Sequence, residues 1–231
     1  MDRKLVVLTG AGISAESGLK TFRDSGGLWE GYDVTEVATP EAWKRNQKLV
    51  LDFYNERRRQ LKSATPNEAH LTITKLQQHY STIVITQNVD NLHERAGNEN
   101  VLHLHGQLTK VRSTSNPSLI YDWEDDLNIG QHCDEGSQLR PHIVWFGESV
   151  PMLEVAIQEM VDAHVVIIVG TSMQVYPAAS LIGYAPAGCE VYYVDPKPHI
   201  SYELGFRPNL HVIEEKATTG MQRVSDLLLK Q

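Results

Sequence analysis

The chain has 231 residues, a formal net charge of −8, 41% hydrophobic and 22% charged residues. That balance lacks the basic footprint of a nucleic-acid binder, no run reaches the 18 apolar residues of a membrane span, and the N-terminus enters a strand without a charged-then-apolar leader. Cys133 and Cys189, the only cysteines, form no CxxC pair and no evident disulfide framework, so a reducing cytoplasm is expected.

Residues 4–9 form an apolar run of strand length, followed at once by Gly10-Ala11-Gly12-Ile13-Ser14-Ala15-Glu16-Ser17-Gly18. Gly10, Gly12 and Ala15 satisfy the G-x-G-x-x-G/A spacing of a turn whose backbone can touch a dinucleotide pyrophosphate. The acid that a dehydrogenase keeps about twenty residues further on is missing; Thr21-Phe22-Arg23-Asp24-Ser25-Gly26-Gly27 stands there as a polar loop. Residues 40–62 then read as a helix. Thr65-Pro66 reads as a cap plus first-turn proline for the next, whose apolar stripe is Ala69, Ile73, Leu76 and Tyr80. Further strands are expected at 82–86, 101–104, 142–146, 164–170, 190–195 and 210–213, and helices at 153–163, 177–184 and 219–229. Residues 165–169 are apolar throughout, as in a strand buried on both faces.

Strands alternating with helices predict an α/β fold, a Rossmann-like parallel sheet with helices on both faces. Two stretches break the rhythm, 36–64 and the turn-rich 107–141, and read as insertions forming a smaller lobe. The main lobe then comprises 1–35, 65–106 and 142–231. Ligands belong in the crevice at the carboxyl ends of the strands. There the chain delivers Gln87, Asn88 and Asp90 after one strand, His105-Gly106 after another, and Gly170-Thr171-Ser172 after a third. His105 is the candidate general base, because it ends a strand beside a glycine; His103, on the same face by alternation, is the runner-up.

Gly10-Ala11-Gly12-Ile13-Ser14 with Ser17-Gly18 and Phe22-Arg23, then 86–90, His105-Gly106, Val144-Trp145-Phe146-Gly147-Glu148 and Gly170-Thr171-Ser172 occur in an order that resembles the sirtuins, NAD-dependent protein-lysine deacylases. The resemblance covers nearly the whole chain. It implies NAD as cofactor and acyl-lysine proteins or peptides as substrates; a monomer is expected only by default. Gly10, Ala11, Gly12, Ser14 and Glu16 would form the pyrophosphate turn. Phe22 and Arg23 would belong to a cofactor loop that shields the reacting ribose. Gln87 and Asn88 would hold that ribose, Asp90 the carboxamide, and Gly170, Thr171 and Ser172 the adenosine side, with Asp195 and Ala217 near the adenine. His105 would be the base, with Asn88 beside it. Val144, Phe146, Gly147, Val175 and Tyr176 would form two edges between which substrate backbone inserts as an extra strand. In the implied reaction the acyl oxygen attacks the ribose as nicotinamide leaves, His105 relays a proton from a ribose hydroxyl, and water releases lysine and acyl-ADP-ribose.

Val50, Tyr54, Arg57 and Leu61 recur at i, i+4, i+7 and i+11, so Arg57 interrupts an apolar helical stripe. An arginine so placed wants a carboxylate, either of this protein or of a ligand. Arg58 and Arg59 are expected on a solvated face with Asn55 and Glu56. Tyr54 and Arg57 also resemble the Tyr-x-x-Arg signature of the sirtuin branch that removes succinyl, malonyl or glutaryl groups, implying a clamp on a distal carboxylate. The pattern departs from the family at its structural zinc. Ser113, Asn116, Cys133 and Gly136 stand where two cysteine pairs are usual, and one thiolate cannot make a four-ligand site, so no metal is expected. The 107–141 stretch would then rest on Leu119, Ile120, Tyr121, Trp123 and Leu127. Competing readings are mono-ADP-ribosyl transfer from the same cofactor, a nicotinamide oxidoreductase disfavoured by the missing acid, and a non-catalytic NAD-binding module.

Overall fold

The computed structural model describes residues 3–20, 28–29 and 31–230, with backbone alone for 28–29. β1 (Lys4–Thr9) runs into a one-turn helix α1 (Ala11–Ser14). A short ribbon, β2 (Leu28–Trp29) and β3 (Tyr32–Asp33), precedes α2 (Val34–Val37), α3 (Pro40–Arg45) and α4 (Gln47–Ser63). α5 (Glu68–Leu76), β4 (Ser81–Thr86), α6 (Leu92–Arg95) and β5 (Val101–His103) follow. Next come β6 (Gly106–Ser113), β7 (Ile120–Asp122) and β8 (Leu139–Ile143). The chain then returns through α7 (Leu153–Met160), β9 (Val165–Val169), β10 (Glu190–Val194), α8 (Tyr202–Gly205), β11 (Leu210–Ile213) and α9 (Ala217–Leu229).

Six strands pair in parallel in the order β11-β10-β9-β1-β4-β5. Successive residues face opposite sides of a sheet, and both sides of this one are covered. Leu5, Val7, Val165, Ile167 and Val169 pack with Ile73, Leu76, Met221 and Val224 on one face. Val6, Leu8, Val166 and Ile168 pack with Ala156, Met160, Leu181 and Ile182 on the other. The predicted Rossmann-like fold is therefore the observed one. From β1 the chain builds outward through β4 and β5, then through β9, β10 and β11 on the other side. The carboxyl ends of β1 and β9 thus flank the reversal point where such sheets bind ligands.

β6, β7 and β8 form a separate antiparallel sheet, β7-β6-β8, packed with α4 around Trp43, Phe53, Leu108, Val111, Leu127, Leu139 and Trp145. The strand expected at 142–146 is here Leu139–Ile143 and pairs with β6, not with the parallel sheet. The expected lobe boundary at 141/142 falls inside it. Beyond Ile143 the apolar residues are apolar for another reason: Trp145 is a core residue and its neighbours line a cleft.

Other boundaries moved for local reasons. The helix expected over 40–62 breaks at Asn46, whose side chain accepts from Leu49 N at 3.1 Å and caps α4. Asn67, not Thr65, caps α5, accepting from Ala69 N at 3.0 Å while its Nδ2 donates to Ile13 O at 2.8 Å and Ser17 Oγ at 2.9 Å. That one side chain starts a helix and fastens the glycine turn. Tyr80 lies past the end of α5 but stays in the core, its hydroxyl donating to Leu228 O at 3.2 Å. Residues 178–184 are a 3₁₀ helix. Arg58 is also displaced from expectation: it is 2% exposed and donates to Leu108 O and Asn55 Oδ1, each at 2.8 Å, and burial draws its pKa down to about 10. Asn55 exchanges two bonds with the Leu127 backbone, so the two residues tie α4 to the small lobe. Arg59 does face outward, pairing with Asp126 at 2.6 Å.

Where the zinc of a four-cysteine lobe would be expected, hydroxyls close the lobe. Ser113 Oγ is buried and accepts from Ser115 N at 3.2 Å, Asn116 N at 3.1 Å and Cys133 Sγ at 3.2 Å, and Ser115 Oγ meets Ser137 Oγ at 2.6 Å. Leu127 is buried as expected, whereas Ile120 is 43% exposed and holds little. Among the described residues no group of three or more His, Cys, Asp or Glu is placed to hold a metal ion. Ser113→Ala strands three donors and should cost about 1–3 kcal/mol, read as a shifted urea midpoint with unchanged slope; no shift would show that the knot contributes nothing.

Candidate active site

The glycine turn packs against the end of β9 with no room for side chains. Gly10 N donates to Val169 O at 3.2 Å and Gly12 N to Gly170 O at 2.8 Å. A Cβ on Gly12 would sit 2.8 Å from Gly170 Cα. Gly170 has φ +65°, and a Cβ there would lie 2.2 Å from Ile13 N. These positions demand glycine because backbone meets backbone, and the turn therefore offers bare peptide to the space beside it. That space is a cleft of about 700 Å³ running from the glycine turn to α4, within the size range of small-molecule sites. A backbone turn free of side chains, facing a cleft this large, suits a dinucleotide pyrophosphate.

Behind the turn lies a buried chain of polar groups. Asn88 Nδ2 donates to Ser14 Oγ at 3.1 Å, Ser14 Oγ donates to Asp90 Oδ2 at 3.0 Å, and Leu92 N donates to Asp90 Oδ1 at 3.1 Å. The Asn88 amide is thereby fixed in orientation. Burial raises the Asp90 carboxyl above its ordinary value, and the bonds from Leu92 and Ser14 offset this only in part. Asn88 N donates to Thr86 Oγ1 at 3.0 Å, and Gln87 Nε2 to Thr171 Oγ1 at 3.0 Å, joining the ends of β4 and β9.

His105 and His103 part company here. His105 Nδ1 lies 3.0 Å from Gln87 O, and a carbonyl can only accept, so Nδ1 carries the hydrogen and Nε2 the basic lone pair. Burial lowers its pKa below 6.5, partly offset by the Gln87 bond, so the imidazole is neutral at pH 7. It lines the cleft. His103 has both nitrogens engaged, Nδ1 with Asn88 O at 3.0 Å and Nε2 with Glu94 Oε1 at 2.6 Å, and so secures the loop rather than facing the cleft. Gly106, at φ +83°, allows the exit from His105: a Cβ there would fall 2.0 Å from His142 O.

At the far end, Tyr54 and Arg57 of α4 line the same cleft, Tyr54 fully buried and Arg57 half-buried with its guanidinium 5.8 Å from the Phe53 ring centroid. Val144, Phe146, Gly147, Val175 and Tyr176 line it as well, with Phe146 and Tyr176 well exposed. Ala11, Ser172, Asp195 and Ala217 also line the cleft, as does Glu16, whose carboxylate accepts from Thr218 N and Oγ1 in the first turn of α9. Phe22 and Arg23 lie outside the described residues.

The Sir2 family model matches residues 10–177. The chain belongs to the Sir2 family. A Helicobacter pylori protein named NAD-dependent protein deacylase is 54% identical over 228 residues, spanning 99% of this chain and 98% of the relative. One of the same name from Bacteroides thetaiotaomicron is 48% identical over 233 residues, spanning 98% of each. A solved Sir2 homologue–NAD complex superposes with a TM-score of 0.87 at 38% identity, covering 99% of this chain and 90% of that one. A mutant Sir2 homologue–ADP-ribose complex gives 0.89 at 38% identity, covering 99% and 93%.

Sequence reasoning did not find the ion cluster at the edge of this Sir2 cleft, which Glu148 itself lines. Glu148 accepts from Arg140 Nη1 at 2.7 Å and Nη2 at 3.1 Å, from Arg112 Nη2 at 3.3 Å, and from Trp145 N at 2.8 Å. The two arginines are strand residues more than twenty positions apart, and only the β6–β8 pairing, with Arg112 opposite Arg140, announces them.

Proposed function

We propose that this Sir2-family chain is an NAD-dependent protein-lysine deacylase that prefers acyl groups ending in a carboxylate, such as succinyl or malonyl, over acetyl. The observation that carries the preference is the placement of Tyr54 and Arg57 together on α4, in the cleft that also holds His105. A guanidinium in a half-buried apolar setting is suited to bind a carboxylate by paired, charge-assisted hydrogen bonds. Tyr54 adds a hydroxyl that burial keeps protonated.

NAD, when bound, supplies a sugar carbon that becomes electrophilic as nicotinamide leaves. The 10–12 turn would meet the pyrophosphate, Gln87 and Asn88 the ribose, and Asp90 the carboxamide. His105 Nε2 would take a proton from a ribose hydroxyl, while its Nδ1 stays on Gln87 O and prevents the ring from turning. The apolar lips, Val144, Phe146, Val175 and Tyr176, would bracket an extended substrate backbone and exclude water. The relatives' shared name supports the general activity, and two free, buried cysteines suit a reducing cytoplasm.

Product analysis with NAD and matched succinyl- and acetyl-lysine peptides tests this reading. The expected products are nicotinamide, free lysine peptide and O-acyl-ADP-ribose, with the larger kcat/KM on the succinyl peptide. ADP-ribosylated protein would instead indicate a transferase, and no NAD consumption a binding module.

A further inference from the structure

Trp145 Nε1 donates to the Tyr54 hydroxyl at 3.1 Å. An indole nitrogen can only donate, so this bond occupies a lone pair of the phenol oxygen and directs the phenolic proton elsewhere. Trp145 is itself held on several sides. Its backbone N donates to Glu148 Oε2 at 2.8 Å, the Arg140 guanidinium lies 3.3 Å from its ring centroid, and the Trp43 ring is 5.7 Å away. Arg140 is fastened in turn, by two bonds to Glu148 and a third to Ile143 O at 3.0 Å. Burial pushes the Glu148 carboxyl up, but hydrogen bonds from Arg140 and Trp145 N outweigh it and hold the carboxyl below its ordinary value. Glu148 therefore stays anionic and keeps its grip at neutral pH.

Two arginines sharing one carboxylate are a poor choice for stability alone, since desolvation offsets much of the attraction. They are a good choice for holding an indole ring at one angle. The ring lies between the ion cluster and Tyr54; Trp145 and Glu148 also line the cleft, and the indole N–H is what links the cluster to the Tyr54 hydroxyl.

We propose that Trp145 is a positioning residue for acyl selectivity: clamped by Arg140 and Glu148, it sets the rotation of the Tyr54 hydroxyl so that the O–H is presented to an acidic acyl group. This rests on the reading that Tyr54 and Arg57 receive that carboxylate. An acetyl group has no carboxylate to receive the O–H, so the effect belongs to the succinyl-to-acetyl ratio rather than to turnover in general.

The experiment is a double-mutant cycle on kcat and KM for succinyl- and acetyl-lysine peptides, with Trp145→Phe, Tyr54→Phe and the pair together. Trp145→Phe keeps an aromatic ring for Arg140 to cover and removes the donor together with part of the ring's volume, which is why the succinyl-to-acetyl ratio and the cycle with Tyr54→Phe, not overall turnover, are the readout. The ratio of succinyl to acetyl kcat/KM should fall about 5- to 10-fold, the worth of one net hydrogen bond, mainly through KM on the succinyl peptide. The double variant should match Tyr54→Phe alone, because Trp145 acts through that hydroxyl. An unchanged ratio in Trp145→Phe, or additive losses in the pair, would overturn the proposal. Should Trp145→Phe fail to fold, Glu148→Gln, which loosens the Arg140 clamp, should lower the ratio about 2- to 3-fold, and an unchanged ratio there counts equally against it. Arg57→Met in the same assay separates the two levels. Lost desuccinylation in Arg57→Met with an unaffected ratio in Trp145→Phe sinks only the positioning role. Full succinyl turnover by Arg57→Met sinks the clamp and this proposal with it.

Discussion

Replacing Arg57 by methionine is expected to abolish turnover of succinyl-lysine peptides while leaving much of the acetyl-lysine turnover. Methionine fills similar space on the α4 stripe, between fully buried Tyr54 and nearly buried Leu61, so packing changes little. What disappears, on the proposed reading, is the positive charge that would face the acyl end. Removing one partner of a desolvated charge pair costs about 2–5 kcal/mol, roughly a 30- to several-thousand-fold fall in kcat/KM. An acetyl group carries no carboxylate for the guanidinium to bind, so on that reading its loss should be far smaller. Steady-state kinetics on matched peptides decides the matter: equal losses on both acyl groups would mean that Arg57 supports the fold or the cofactor and does not select the acyl group.

His105→Ala should lower kcat by about 10²- to 10⁴-fold on every acyl peptide, with ADP-ribose binding, followed by calorimetry, changed only a few-fold. The pH profile adds an independent check. The protonated imidazole cannot act as a base, and burial lowers the His105 pKa below 6.5. The wild type should accordingly hold its activity at pH 7 and lose kcat/KM with unit slope as pH falls through that lowered value. In His105→Ala this acid limb should vanish. A limb that persists in the variant would assign the titration to another group.

Much of this was legible in the chain because it is local. A run such as 165–169, short, β-branched and apolar at every position, reads as a strand covered on both faces, and alternation with helices then implies a parallel sheet. The glycine turn was legible from the spacing of Gly10, Gly12 and Ala15 after a strand; that Gly10 and Gly12 leave no room for a Cβ against residues 170 and 171 is what the structure adds. The α4 stripe was legible because helical periodicity alone puts Val50, Tyr54, Arg57 and Leu61 on one side. Apart from His103, every candidate active-site residue among the described residues lines one cleft; strand order brings those at the carboxyl ends together, and α4 adds Tyr54 and Arg57.

What tertiary structure decided is what depends on partners distant in sequence. Residues 142–146 read as one more strand of the main sheet, whereas the strand found there is 139–143 and pairs with β6. Arg58 reads as solvated until the Leu108 carbonyl, fifty residues on, takes its Nε–H. The histidines at 103 and 105 are equivalent by alternation and differ only in what surrounds them: Glu94 and Asn88 occupy both nitrogens of one, while the Gln87 carbonyl takes a single nitrogen of the other. The Glu148 cluster and the Trp145–Tyr54 bond have no local signature, because they form where β6, β8, α4 and the loop after β8 meet. Periodicity reports which side of an element is covered; it carries no information about which group across the interface does the covering, and the chemistry of this cleft is set by those groups.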